Sequence, residues 1–296
     1  MAKLILFIGV LFLVYWQVSK FDKDSWDSFK ITNPLSFIVA IIFVFPNIWL
    51  AYYKWKTTLK LVAPSEKGKV IRQSFFAGVV TGMLTPNMVG NFIGRFYYFQ
   101  RAQRIPIILF TLLSNYAQFL ASLSFGWFAI IIVGKIYSIE PSKSLLVFLG
   151  AGVVFAYLIY FFIDNFLNRF KRKAYFIDFR DQLRKNRTFR SAILILSLLR
   201  FLVFTIQFSF ILNSFGEDLS VQNVLAIWQV YLLTMLIPSM FFGKIGVRES
   251  VALFVLTGVG MNEFAVLFAS LIIWFVNSLC PAIFGLVICK NDVKNA

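Results

Sequence analysis

Three arginines stand where the surrounding sequence is too apolar to carry a charge without a reason. Arg95 closes the stretch Met83–Arg95, MLTPNMVGNFIGR, and Arg248 closes Met235–Arg248, MLIPSMFFGKIGVR. Aligned on Met83 and Met235, the two copies share six of twelve positions, among them Pro86/Pro238 and Gly94/Gly246. Each proline removes a backbone donor and pushes the residue before it away from helical geometry, so each copy predicts a helix broken inside an apolar background. Gly90, Gly94, Gly243 and Gly246 let the backbone turn or approach another group closely. A half-helix that starts after such a break offers free N–H groups and a positive dipole end, which favour an anion. A guanidinium placed there stays charged and matches a phosphate with two parallel hydrogen bonds. The structural alternative is that both arginines snorkel to the membrane interface, or that Arg248 pairs with the adjacent Glu249.

Arg200 falls near the middle of the apolar run Ser191–Asn213. An arginine at the centre of a membrane helix costs about 2.5–3.5 kcal/mol on the lenient insertion scale, so Arg200 needs a partner or water. Gln207 lies two turns later on the same face and Ser197 about one turn earlier. Glu249 is the expected carboxylate partner and Glu263 the second; these are the acids expected near membrane depth, where either forms a permanent ion pair or carries a coupling proton. The candidate phosphate-binding set is therefore Arg248, Arg200 and Arg95 with Gly243, Gly246, Gly90, Pro238 and Pro86. Asn115, Gln118 and Asn277 are polar residues within spans and predict interhelical hydrogen bonds.

The chain has no histidine, which removes the commonest general base and metal ligand. Cys280 and Cys289 are its only cysteines and fall on opposite faces if helical, so neither a disulfide framework nor a metal site is expected. No phosphate-binding loop, nucleophile elbow or metalloprotease motif is present. Catalytic residues, metals and cofactors are not expected, and the chain reads as a protein that is not an enzyme.

The elements that must position these residues are membrane helices. The 296 residues are 59% hydrophobic, with a mean hydropathy of +0.79, where a soluble domain is roughly half apolar. The fold expected is an all-α polytopic membrane protein, one transmembrane domain over 1–296 with about six to eight transmembrane helices. The spans expected are Leu4–Val18 (uncleaved), Leu35–Tyr53 with a kink at Pro46, Ile105–Gly134, Ser144–Ile163, Ser191–Asn213 and Glu263–Cys289 with a kink at Pro281. Tyr52, Tyr53 and Trp55 are expected at the interface, followed by a basic connection from Lys54 to Arg72. The net charge of +16 has no nucleic-acid module behind it and sits between the apolar runs. Residues 164–190 carry nine Lys/Arg against three acids, whereas Ser214–Gln222 has no Lys or Arg. By the positive-inside rule the first is a cytoplasmic loop, the second faces outward, and both termini are cytoplasmic. The broken hairpins at 74–99 and 224–260 then enter from opposite sides, as an inverted-topology repeat requires. Two true spans over 224–260 satisfy the same loop charges.

Pro238–Ser250, PSMFFGKIGVRES, resembles the P…G-x-G-[VI]-R-[EG] signature of the lysylphosphatidylglycerol synthase transmembrane-region family, which is flippase-like. Thr85–Arg95 resembles that family's earlier P-x-x-x-G-E motif, Ser197–Arg200 with Gln207 its arginine-bearing span, and Trp55-Lys56 the basic-aromatic end of an early span. The resemblance implies movement of a phospholipid or lipid-linked anionic headgroup between leaflets, in the inner (plasma) membrane of a bacterium. Membrane phospholipids are the implied partners, with a second copy of the chain or a partner synthase, and no nucleic acid. A chain ending at Ala296 has no room for the aminoacyl-transferase domain of some members. One departure stands out: the family's acid after Gly90 is Asn91, and Gly243 is followed by Lys244; if that acid serves coupling or recognition of a headgroup amine, it is either lost here, with a headgroup more anionic than an aminoacyl lipid expected, or moved to Glu249. The competing readings are a small-solute secondary transporter and a non-transporting scaffold subunit docking through residues 164–190.

Overall fold

The computed structural model describes residues 30–85, 88–134, 140–167, 174–237 and 246–290. The expected first span Leu4–Val18 lies outside them, as do Pro86, Pro238 and Gly243. Every regular element among the described residues is helical: α1 (Pro34–Ile42), α2 (Val44–Val62), α3 (Gly68–Met83), α4 (Gly90–Phe96), α5 (Arg101–Val133), α6 (Lys143–Leu167), α7 (Ala174–Lys185), α8 (Thr188–Ser214), α9 (Val221–Leu236), α10 (Val247–Thr257), α11 (Glu263–Trp274) and α12 (Cys280–Lys290), with a π turn at Phe275–Leu279 joining the last two. Among the described residues, five helical stretches are long and apolar enough to cross a membrane: Pro34–Val62, Arg101–Val133, Lys143–Asn165, Thr188–Ser214 and Glu263–Cys289. The chain is an all-α polytopic membrane protein.

Proline explains two of the irregularities. The first stretch breaks at Phe43 between α1 and α2, and Pro46 takes the third position of α2, where the helix makes least use of its N–H. In the last stretch, Pro281 has no N–H for the carbonyl of Asn277, and the backbone widens into the π turn, with Cys280 N–H bonded to Phe275 O. Such single π turns are frequent at functional sites.

The ends of the bundle are defined by cross-connections. Thr32 and Asn33 N–H both donate to the carbonyl of Ser214, and Asn262 N–H donates to Glu217 Oε1 at 2.9 Å. These bonds gather the start of α1, the end of α8 and the α10–α11 turn at one end. At the other, Phe110 of α5 meets Phe179 of α7 at 4.6 Å, and Tyr160 OH donates to the carbonyl of Arg190. Residues 164–190, expected as a loop, contain the amphipathic helix α7 and a buried ion pair, Arg190 Nη1 to Asp164 Oδ1 at 2.6 Å.

Two pairs of short helices fit between the long ones. With 16 and 7 residues, neither α3 nor α4 reaches the roughly 20 needed to span. They leave from and return to the end that holds α7. The pair α9 and α10, of 16 and 11 residues, leaves from and returns to the opposite end. The last span crosses between them, α11 packing on α10 and α12 on α3. Helices α9 and α10 pack on each other.

The α3–α4 hairpin closes on glycine. Gly78 and Gly82 of α3 face Asn91 and Arg95 of α4, while Gly90 and Gly94 of α4 pack on Thr81 and Ala77 of α3, a small-residue seam of the kind that lets membrane helices touch backbone to backbone. A Cβ on Gly90 or Gly94 would overlap the carbonyls of Thr81 or Ala77. Thr81 Oγ1 lies 2.6 Å from the Gly90 carbonyl, and Gly90 N–H donates to Thr85 Oγ1 at 2.6 Å, so two threonine hydroxyls satisfy the turn's backbone.

Candidate functional site

Between α2, the α3–α4 hairpin, α5, α8 and the π turn lies a cavity of about 130 Å³. Lys54, Arg95 and Arg200 line it, together with Asn47, Asn91 and Asn115. Lys54 is only 5% exposed, because α2 continues to Val62 and turns this residue inward. Its Nζ donates to the carbonyl of Ser114 at 3.2 Å. Arg200 donates Nε–H to Asn47 Oδ1 at 2.9 Å. Arg95 lies over Trp55, its guanidinium carbon 4.6 Å from the ring centroid. Trp55 is itself pinned by Nε1–H bonds to Ser74 Oγ and the carbonyl of Ile71, so the ring expected at the interface is buried.

Among the described residues no carboxylate lies within ion-pair distance of Lys54, Arg95 or Arg200. The Nε of Arg95 and the Oδ1 of Asn91 are buried without a hydrogen-bond partner. Uncompensated buried charge costs several kcal/mol per ion, so a cavity built this way fits an anion.

The cavity shares Ile48, Phe75 and Pro281 with an apolar groove of about 560 Å³. Phe45, Trp49 and Phe284 of the groove are exposed, and Arg72 stands among its lining residues. Cationic chamber and hydrocarbon-lined groove are thus neighbours with a common wall.

A chain of amides leads away from the cavity. Asn47 Nδ2 donates to Asn277 Oδ1 at 2.7 Å, Asn277 Nδ2 to Gln207 Oε1 at 2.8 Å, and Gln207 Nε2 to the carbonyl of Ala40 at 3.0 Å. Asn277 sits in the π turn, and the line connects Arg200 to the helix break between α1 and α2.

The other expected residues fall elsewhere. Arg248 starts α10, and its Nη2 bonds Glu249 Oε1 and the carbonyl of Ser270, both at 2.7 Å, while Nε–H reaches Ser270 Oγ. Glu249 is fully buried and accepts Gly246 N–H at 2.6 Å, capping α10, with Gly246 at φ +84°. This network ties α10 to α11 and uses the charge of Arg248 locally. Glu249, expected beside Arg200, is therefore committed to Arg248, and Asn47 takes the Arg200 contact instead. Glu263 is exposed in the first turn of α11. Gly90 forms the hairpin turn behind Arg95. Asn115 lines the cavity, and Gln118 Nε2 donates to the carbonyl of Ser197. Among the described residues no group of three or more His, Cys, Asp or Glu side chains comes together.

Lys54 and Asn47 were not among the expected site residues, yet their spacing carries the signal. Ala40, Asn47 and Lys54 recur every seven residues and share one buried face of the first span.

The chain belongs to the family described as the lysylphosphatidylglycerol synthase TM region, whose model matches residues 1–285. Comparison with curated proteins and with solved structures gives no match.

Proposed function

We propose that this membrane protein carries a lipid with an anionic headgroup between the leaflets of the bilayer. The observation that carries the reading is the common wall between the cationic cavity and the apolar groove. A phosphate held by Lys54, Arg95 and Arg200 leaves its acyl chains beside Phe45, Trp49 and Phe284, in the groove and in lipid. A water-soluble solute has no use for that groove, which favours the lipid over the small-solute reading.

The opposite entry of the two hairpins supports an alternating-access motion of one against the other around a fixed site. The end holding α7 and most of the Lys and Arg residues is assigned to the cytoplasm by the positive-inside rule, in a bacterial inner membrane. The chain acts as a transporter without chemistry of its own, and a synthase that makes the lipid, or a second copy of the chain, is its natural partner.

The test is leaflet exchange of a fluorescent anionic phospholipid in proteoliposomes, read by quenching from the outer face. Arg95→Gln and Arg200→Gln should each slow the exchange by tenfold or more. Exchange at the unaltered rate in both variants would sink the reading.

A further inference from the structure

We infer that the lipid this site selects is a phosphomonoester, a headgroup that ends in a phosphate with nothing beyond it. The inference rests on the lipid-transport reading above and names the substrate class of the same site. Charge and size point the same way. Three cations face one cavity with no carboxylate beside them among the described residues. A phosphodiester headgroup such as phosphatidylglycerol brings one negative charge and leaves two cations unmatched. A terminal phosphate brings about −1.5 to −2 at neutral pH and leaves about one. A headgroup carrying its own amine is repelled.

The volume restricts the headgroup further. About 130 Å³ is well below the roughly 300–1,000 Å³ that encloses a drug-sized ligand, so the chamber suits a compact group. The free donors suit a phosphate with several acceptor oxygens. Arg200 spends only Nε–H on Asn47, Lys54 makes one bond to Ser114, and Arg95 makes no hydrogen bond among the described residues. The adjoining groove takes the chain of the lipid, which separates a lipid phosphate from free phosphate.

The experiment measures binding of three probes to the purified protein in detergent by titration calorimetry: dioctanoyl phosphatidic acid, dioctanoyl phosphatidylglycerol and inorganic phosphate. Phosphatidic acid is expected to bind at least tenfold tighter than phosphatidylglycerol and at least a hundredfold tighter than inorganic phosphate. Arg200→Gln should weaken phosphatidic acid more than tenfold and shrink its lead over phosphatidylglycerol, while Arg200→Lys, which keeps the charge, preserves that lead. Equal or tighter binding of phosphatidylglycerol by the unaltered protein overturns the phosphomonoester assignment and leaves lipid transport standing. Inorganic phosphate binding as tightly as phosphatidic acid overturns the lipid reading itself.

Discussion

The guanidinium of Arg95 lies 4.6 Å from the centroid of the Trp55 ring, so a residue of the broken hairpin rests on a residue of the first described span. The ring holds the charge at the cavity wall without neutralising it, which leaves the cation available to an anion. A cation–π contact of this kind is worth about 0.5–2 kcal/mol, rising with desolvation.

Trp55→Leu is therefore expected to loosen Arg95 and to leave the carbonyl of Ile71 and the hydroxyl of Ser74 without their Nε1–H donor. Thermal unfolding in detergent should report a loss of about 1–3 kcal/mol. Lipid exchange should fall further than stability explains at a temperature where both proteins are folded. Exchange that simply tracks the folded fraction makes Trp55 a packing residue only.

The α3–α4 hairpin depends on the absence of two methyl groups. Gly94→Ala places a Cβ against the Ala77 carbonyl and the Thr81 hydroxyl, and overpacking of this sort costs about 1–3 kcal/mol. Because α4 must then move off α3, Arg95 moves with it. Gly152→Ala, with nothing within 4 Å of the new Cβ, serves as the control and should change neither unfolding temperature nor exchange. A Gly94→Ala protein as stable and active as the control would show that α4 packs on α3 without need of the glycine.

Hydropathy makes the long spans legible in the sequence, because membrane thickness and unsatisfied backbone leave few alternatives for apolar runs. Partners across the bundle are not legible in the same way. Arg200 requires a partner, but of the two expected carboxylates Glu249 pairs with Arg248 through helix packing order and Glu263 is exposed at the start of α11. Lys54 looked like the start of a basic loop beside Lys56 and Lys60, since a hydropathy run stops at the first cluster of charges. Its inward turn follows from helical periodicity, which distinguishes the buried Asn47–Lys54 face from exposed Lys60. Asn277 was legible as an interhelical hydrogen bond, though the π turn that presents it depends on Pro281 and on the neighbours that fill the widened turn.

Arg248 and Glu249 are expected to answer a stability measurement first. Removing one partner of a buried ion pair leaves the other uncompensated and costs about 3–5 kcal/mol, so Glu249→Gln and Arg248→Gln should each unfold at lower temperature. The double variant Arg248→Met with Glu249→Leu should recover part of that loss, because neither charge is then stranded. An Arg248→Gln protein of unaltered stability that has lost lipid exchange would place this arginine on the substrate instead.

The amide line from Asn47 through Asn277 to Gln207 makes the last prediction. Asn277 both donates and accepts within it, so Asn277→Leu strands the Gln207 oxygen and removes an acceptor from Asn47. Each buried group left unsatisfied costs about 1–3 kcal/mol. Asn47 is then free to rotate, and the Arg200 guanidinium it holds loses its fixed position. Asn277→Leu, at a residue that itself lines the cavity beside Arg200, should accordingly weaken binding of dioctanoyl phosphatidic acid. A double-mutant cycle with Arg200→Gln decides the route. If Asn277 acts through Arg200, the second substitution adds little once the first is made, whereas fully additive losses in affinity show that the two residues act independently.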